Sequence, residues 1–233
     1  MTDMQLFSLA GRKIIVVGHY GSGKTEFSVS LAMLYASLSN EKLALVDLDI
    51  VNPYFRSRER REMLEGAGIL VYGNHFDKEI TAEMPAIGAT LRAPLENESV
   101  RVIVDVGGND SGALILNQFT KYFTDDDTTV LAVVNANRPE TSTSENALAH
   151  IRAIESATGL HISGIINNTH MLTHTAPGDV IKGFELCENI CNASGKELCC
   201  SCYPKEKFDT KELTGISGAL FPMGLYMLPT WLM

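Results

Sequence analysis

Residues 16–27 of this chain, VVGHYGSGKTEF, contain its most informative motif. Within it, residues 18–25 match the pattern G-x-x-x-x-G-K-[ST], which is typical of a loop that binds phosphate. The loop follows the β-branched run KIIVV (13–17) and precedes a segment, 24–38, whose apolar residues recur at helical spacing. Glycines let successive N–H groups point inward around an oxygen anion, and the helix that follows adds its positive end. The sequence therefore predicts a strand, a phosphate-binding loop and a helix, in that order.

The side chains of this loop predict a nucleotide site that contains magnesium. Lys24 supplies a mobile positive charge for the outer phosphates, and the Thr25 hydroxyl is placed to bind Mg²⁺. His19 and Tyr20 are large, although many such loops carry small or basic residues there. The predicted nucleotide-binding residues of the loop are Gly18, His19, Tyr20, Gly21, Ser22, Gly23, Lys24, Thr25 and Glu26.

Acidic residues stand at the ends of two other apolar runs. Asp105 ends VRVIVD, the usual position of a carboxylate that holds the water shell of magnesium, and Gly108 follows where a backbone N–H approaches the terminal phosphate. Asp47 and Asp49 end LALVDLD, and one of them would orient or activate water. For Asp49, capping of a turn is the alternative, because Asn-Pro follows closely. The residues alone therefore predict Lys24, Asp105 and one of Asp47 and Asp49 as the catalytic set.

Apolar runs alternate with segments of helical period along the whole chain, which predicts βαβ units around a parallel sheet. We expect one α/β domain over residues 1–233, with a three-layer arrangement in which helices cover both faces of a mostly parallel sheet. Polar clusters follow the strands, so one crevice at their carboxyl ends would hold the ligand. Further strands are predicted at 43–49, 69–73, 100–108, 129–137, 161–169 and 197–204 (the last core strand), and further helices at 56–68, around 81–91, 144–159 (with Ser144 as its cap) and 177–195.

The composition excludes several classes of protein. A formal net charge of −9 disfavours broad binding to nucleic acid or to anionic membranes. No apolar run approaches the roughly 20 residues of a membrane helix, and the first residues do not resemble a secretory signal. We therefore expect a cytoplasmic protein. The apolar segment 218–233 contains prolines and no basic residue, which favours an arm packed on the domain or a partner surface.

Five cysteines lie late in the chain, and their odd number favours reduced thiols over a disulfide framework. Buried packing is the preferred interpretation, because cysteine behaves as a small apolar residue. The alternative is a zinc or iron–sulfur site built from a helix and a strand that pack together. The cysteines are Cys187, Cys191, Cys199, Cys200 and Cys202.

Five segments, in this order along the chain, resemble the MinD/ParA-type branch of P-loop proteins, which is also called the CobQ/CobB/MinD/ParA nucleotide-binding domain family. Within that branch, the chain is most similar to a group of bacterial ATP-binding proteins. The five segments are GHYGSGKTEF, VDLDIVNPYFRSRE, VIVDVGGND, VVNANRPETS and GIINNTH. The resemblance implies that Thr25 binds Mg²⁺, that Asp49 aligns the attacking water and that Asp105 is the Walker B carboxylate, which holds Mg²⁺ through water. It also implies that Asn167 reads the base, with Asn137 and Arg138 in a loop nearby.

One position departs from that family. Its members usually carry a lysine directly after the first glycine of the loop, where this chain has His19. Imidazole is shorter and mostly neutral near pH 7, so it is a weak substitute for a charge that reaches across a dimer. Arg56, Arg58 or Arg138 would supply the charge instead. For Arg56 and Arg58, a solvated run of charges is the alternative.

The expected function is Mg²⁺-dependent ATP binding with slow hydrolysis that switches the conformation of nearby loops. A homodimer or a client protein would read that switch. ATP is preferred to GTP because NNTH, residues 167–170, lacks the carboxylate that ends many guanine-binding motifs. The alternatives are an ATP-dependent small-molecule kinase or ligase on the same fold, with its acceptor pocket in segment 74–98, and a nucleotide-binding module with little hydrolysis.

Overall fold

A computed structural model describes residues 11–49, 60–73, 92–108, 110–123 and 126–227. Eight strands form one sheet in the order β3-β2-β4-β1-β5-β6-β7-β8, and every neighbouring pair is parallel. The strands are β1 (Lys13–Val17), β2 (Lys42–Asp47), β3 (Ile69–Gly73), β4 (Val100–Asp105), β5 (Thr128–Val134), β6 (Gly164–Asn167), β7 (Glu197–Pro204) and β8 (Leu220–Met223). The helices are α1 (Lys24–Leu38), α2 (Arg61–Gly66), α3 (Asp110–Ala113), α4 (Ser144–Thr158) and α5 (Pro177–Ser194).

Helices cover both faces of the sheet, as predicted for a three-layer α/β fold. One apolar cluster contains residues of α1 and α2, including Phe27 and Leu64, packed on one face. The other contains residues of α4 and α5, including Ile151 and Ile190, packed on the opposite face. The strands between them are buried on both sides, which explains their continuous apolar runs.

The predicted boundaries of three helices agree closely with the structure. The helix predicted at residues 56–68 is observed as α2 in its described part, and the helix predicted around residues 81–91 lies outside the described residues. The helix of residues 24–38 is observed unchanged, and α4 and α5 end before Gly159 and Gly195, whose φ angles of 68° and 71° are left-handed. The cap of α4 differs by one residue from the expectation. Thr143, rather than Ser144, accepts a hydrogen bond from the backbone N–H of Asn146.

The strand at residues 197–204 is not the last one, because part of the apolar C-terminal segment adds β8 beside it. Phe221 and Met223 of β8 point inward, and the Phe221 ring meets Phe27 of α1 edge-on with the ring centroids 5.5 Å apart. Pro222 is tolerated because β8 lies at the end of the sheet order. The strand was missed because only four residues form it and one of them is proline.

The cysteines are packed as neutral thiols. Burial raises the pKa of Cys199 to about 12 and that of Cys191 to about 11. Cys187 packs in the apolar cluster under α5, and Cys200 and Cys202 pack in the cluster on the α1 side of the sheet. Within the described ranges, no three or more His, Cys, Asp and Glu side chains come together in a group that could hold a metal ion.

The same ranges contain no helix that is long and apolar enough to cross a membrane.

Candidate functional site

Three glycines shape the loop between β1 and α1. Gly21 and Gly23 have φ angles of 74° and 79°, and Gly18 has a φ of 147°. A Cβ at Gly18 would lie 2.4 Å from the carbonyl oxygen of Val133 in β5. Both the backbone angles and the close approach therefore require glycine, and together they make the curved loop that the sequence predicted.

The carbonyl groups of this loop are held by side chains from neighbouring strand ends. The Gly21 carbonyl accepts hydrogen bonds from Asn135 Nδ2 (3.2 Å) and Arg138 Nε (3.0 Å), and Asn168 Nδ2 donates to the Ser22 carbonyl at 2.8 Å. A carbonyl oxygen that pointed into the loop would repel phosphate. These bonds hold the Gly21 and Ser22 carbonyls on donors outside the loop, so this part of the loop is organised before any anion arrives.

Asn135 is the residue of this network that the sequence analysis missed. It is fully buried, and its Oδ1 accepts the backbone N–H groups of Asn137 (2.9 Å) and His170 (3.3 Å). Its Nδ2 donates to the His170 carbonyl as well as to Gly21. One amide therefore joins the phosphate loop to the loops after β5 and β6. The available signal was a polar amide directly after the buried run VLAVV.

Lys24, Asp49 and Asp105 come together beneath the loop. Lys24 is buried, which lowers the pKa of its ammonium group, while the charges of Asp105 and Asp49 oppose that effect. Burial raises the pKa of Asp105 to about 6, although Lys24 and the hydroxyls of Thr25 and Ser28 favour its ionised form. The predicted catalytic side chains are therefore neighbours and influence one another's charge.

Asp105 fits a role in holding hydrated Mg²⁺. Its Oδ1 accepts a hydrogen bond from Ser28 Oγ at 3.4 Å, but its buried Oδ2 has no hydrogen-bond partner among the described residues. A buried carboxylate oxygen without a donor is costly, and a metal-bound water next to Thr25 would supply one. Carboxylate, hydroxyl and water are also the ligands that Mg²⁺ prefers.

Asp47 and Asp49 have different surroundings. Asp47 is buried, and its Oδ1 accepts the backbone N–H of Asp49 at 3.0 Å, so it shapes the turn after β2. Asp49 lines the cavity described below. Gly108 passes directly beside the loop, since a Cβ there would lie 2.9 Å from the Tyr20 backbone and 3.2 Å from Lys24 Nζ.

A cavity of about 250 Å³ runs from the loop to the ends of β6, β7 and β8. Its polar end contains loop residues together with Asp49 and Arg138, and its other end is mostly apolar. A polar site that continues into an apolar slot suits a phosphate chain attached to a flat ring. The apolar end is lined by Leu172, Cys202, Pro204, Met223, Leu225 and Met227.

Asn167, the predicted base contact, lies outside this cavity, and Asn168 lines it instead. Asn167 is buried, and its Nδ2 donates to the Val180 carbonyl (3.0 Å) and to Ser201 Oγ (3.1 Å). Its Oδ1 accepts the backbone N–H of Thr169. The side chain therefore ties β6 to β7 and α5, and its hydrogen bonds all remain inside the protein.

Two more predicted residues do not line the cavity. Asn137 donates to Asp179 and accepts from Lys182, both at 2.8 Å, so it fastens its loop to α5. His19 turns toward α4, where its ring lies edge-on to His150 with the centroids 5.2 Å apart. Arg56 and Arg58 lie outside the described residues.

The other predicted loop residues line the cavity or its floor. Tyr20 stands at the mouth and is 59% exposed. Arg138 lies on the cavity wall over Gly21, where it places a guanidinium group. Glu26 is turned toward the C-terminal segment, where its carboxylate accepts the backbone N–H groups of Tyr226 and Met227.

Comparison with family models gives no match, and comparison with curated proteins gives none. Among solved structures, the chain is similar to the signal recognition particle 54 kDa protein of Aeropyrum pernix K1 in complex with GDP (TM-score 0.52, 21% identity), covering 80% of this chain and 40% of that one. It is also similar to FlhF complexed with GMPPNP/Mg(2+), with a TM-score of 0.51 and 15% identity, covering 84% of this chain and 71% of that one. A third similar structure is a nucleotide-binding protein from Archaeoglobus fulgidus in complex with ADP, with a TM-score of 0.50 and 16% identity, covering 91% of this chain and 89% of that one.

These likenesses establish a P-loop NTPase fold for the chain, which spans less than half the length of the signal recognition particle protein. They do not select the MinD/ParA branch, which stays a prediction that rests on the sequence motifs. The three neighbours carry guanine and adenine nucleotides, so the fold alone leaves the base open.

Proposed function

We propose that this chain, which has the fold of the P-loop NTPases, binds Mg·ATP in the cavity and hydrolyses it slowly as a conformational switch. The observation that carries the proposal is the phosphate loop itself. Its Gly21 and Ser22 carbonyls are held by Asn135, Arg138 and Asn168, while Asp105 has a buried oxygen that accepts no hydrogen bond from the described residues. Such an arrangement is costly for a purely structural turn and useful for a bound polyphosphate.

Each residue at the polar end has a defined role in this proposal. The loop N–H groups and the Lys24 ammonium bind the β- and γ-phosphates, and Thr25 and Asp105 hold Mg²⁺, the latter through water. The metal would neutralise part of the charge on the outer phosphates. Asp49, on the cavity wall, orients the attacking water, and Arg138 provides a guanidinium group from within the same chain.

The apolar end favours adenine over guanine. A guanine-binding site usually places a carboxylate opposite the two N–H donors on the edge of the base. The two acidic residues that line the cavity are poorly suited to that task, because Asp49 lies at the phosphate end and Glu26 already accepts two backbone N–H groups. Asn168 Oδ1 accepts no hydrogen bond within the described part of the chain, so it is available to the amino group of adenine.

The switch would be read at the mouth of the cavity. Tyr20 and Leu172 line the cavity and are 59% and 48% exposed, so a client protein or a second copy would cover them while nucleotide is bound. His19 faces α4 instead of the cavity, so the arginine on the cavity wall takes over the role of the family lysine in this proposal.

Calorimetry with ATP and with GTP, each with and without magnesium, tests the binding proposal. Lys24→Ala serves as the control that should abolish binding of either nucleotide. We expect Mg·ATP to bind more tightly than Mg·GTP, and a preference for GTP would overturn the choice of base. Absence of binding to both would overturn the proposal.

Hydrolysis is tested separately, by following ADP and free phosphate in a single turnover with excess protein. Formation of both products without an added metabolite supports the switch. Transfer of phosphate only when a metabolite is supplied would indicate a kinase or ligase, and no cleavage would indicate a binding module.

A further inference from the structure

Glu26, one residue beyond the predicted magnesium ligand Thr25, holds a distant part of the chain. Its Oε1 accepts the backbone N–H of Tyr226 at 2.5 Å, and its Oε2 accepts the N–H of Met227 at 2.9 Å. These are charge-assisted bonds between residues two hundred positions apart. An acidic residue in the first turn of a helix usually lies at the surface, where its charge interacts favourably with the positive end of the helix dipole. Glu26 is in the first turn of α1 but is turned inward and binds the C-terminal segment.

The residues that Glu26 holds belong to the wall of the cavity. Leu225 and Met227 line its apolar end, and Met227 is buried. The same segment is anchored by apolar contact one step earlier, where Phe221 of β8 meets Phe27 of α1. The C-terminal segment, residues 224–227, therefore follows a strand that already packs on α1, is held to α1 by the Glu26 carboxylate, and lines the apolar end of the cavity.

Burial of this carboxylate is costly. A carboxylate taken out of water loses its hydration, and the two backbone N–H groups that it accepts replace only part of it. A buried acid beside a site for polyphosphate also opposes an anionic ligand. Packing alone would be served better by an apolar side chain, so the useful contribution of Glu26 is the placement of the segment that it binds.

We propose that Glu26 is a positioning residue that seats the C-terminal segment against the apolar end of the cavity and thereby makes the binding site for the purine ring. It acts on the ring through Leu225 and Met227, and not on the phosphates. The inference rests on the proposed function, since it takes the apolar end as the site of the base.

A comparison of two ligands isolates this role. ATP occupies the whole cavity, whereas tripolyphosphate occupies the phosphate loop alone, so the ratio of their affinities reports on the apolar end. That ratio cancels any common effect of removing a negative charge near the phosphates. In Glu26→Ala we expect the ratio to fall about tenfold, the order of effect of losing one apolar contact with a ligand. Glu185→Ala, an exposed glutamate on α5, is the matched control and should leave the ratio unchanged.

A double-mutant cycle tests whether Glu26 acts through the segment. Met227→Ala should lower the ratio by itself and should have little further effect in the Glu26→Ala background, because the wall is already displaced. Glu26→Gln retains one oxygen acceptor and should recover part of the loss. If Glu26→Ala does not fold, Glu26→Gln and Met227→Ala provide the cycle.

Hydrogen exchange gives a measurement that needs no ligand. The amides of Tyr226 and Met227 should exchange faster in Glu26→Ala than in the wild type, while those of β1 stay protected. An unchanged ratio, or additive effects in the cycle, would overturn the inference. If wild-type protein bound neither ATP nor tripolyphosphate, the proposed function would fail instead, and faster exchange would still identify Glu26 as the anchor of the segment.

Discussion

Replacement of Asn135 by alanine should damage both stability and nucleotide binding, because its buried amide joins three loops. The side chain makes four hydrogen bonds: to the Gly21 carbonyl (3.2 Å), to the His170 carbonyl (3.3 Å), from the Asn137 N–H (2.9 Å) and from the His170 N–H (3.3 Å). Each bond contributes about 0.5–1.5 kcal/mol, and three of the four are long. We therefore expect Asn135→Ala to lower the free energy of unfolding by about 2–4 kcal/mol, including the unpaired N–H groups that remain.

The effect on ATP affinity should be smaller than the effect on stability. Arg138 still holds the Gly21 carbonyl, so the loop loses one of its two donors at that position. We expect a loss of about five- to tenfold in ATP affinity, equivalent to about 1 kcal/mol.

The assay is urea denaturation with and without Mg·ATP, together with calorimetry. Asn117→Ala is the matched control, because the Asn117 amide makes one exposed hydrogen bond, to the Ala157 carbonyl. It should cost less than about 1 kcal/mol. A change in Asn135→Ala no larger than in this control would refute the idea that Asn135 organises the site.

Three further predictions concern charge, pH and close packing. Asp105→Asn removes a buried carboxylate whose pKa is raised by burial to about 6. The free energy of unfolding of the ligand-free protein should therefore rise by about 1–3 kcal/mol at pH 8, while magnesium-dependent binding is lost. A less stable variant would contradict the view that this carboxylate is costly to bury. Burial, and to a lesser extent the charge of Arg138, lowers the pKa of His170 to about 4 in the folded protein. Because the unfolded chain takes up this proton near pH 6.5, the free energy of unfolding should decrease as the pH is lowered from about 6.5 to about 4. His170→Asn should flatten that dependence in denaturation experiments, and an unchanged profile would rule out His170 as its source. Gly108→Ala places a Cβ against the Tyr20 backbone and Lys24 Nζ, so it should weaken ATP binding at least about tenfold in calorimetry. Gly66→Ala is the control, because its Cβ would have no other atom within 4 Å, and it should bind ATP normally.

Much of the fold and part of the site could be predicted because they depend on local patterns. Short apolar runs indicated seven of the eight strands in the described residues, and glycines at left-handed backbone positions marked the phosphate loop and two helix ends. The approach of Lys24, Asp49 and Asp105 followed from their positions, since parallel strands bring their carboxyl ends to one edge. Side-chain direction at the end of a short strand was harder to predict. The register of β6 against β7 shifts between Ile165 and Ile166, and Asn167 is turned into the core while Asn168 reaches the cavity.

Local sequence patterns predicted the strand–loop–helix unit at residues 13–38 and a mostly parallel sheet, and the structure contains both. These depend on spacing within a few residues, where backbone angles and hydrogen bonds are set locally. Three contacts were visible only in the folded chain: Asn135 joins three loops, His19 faces α4, and Glu26 binds the backbone at Tyr226 and Met227. Those contacts link positions far apart in the chain, and their formation depends on how the whole sheet twists and packs, which no local pattern records.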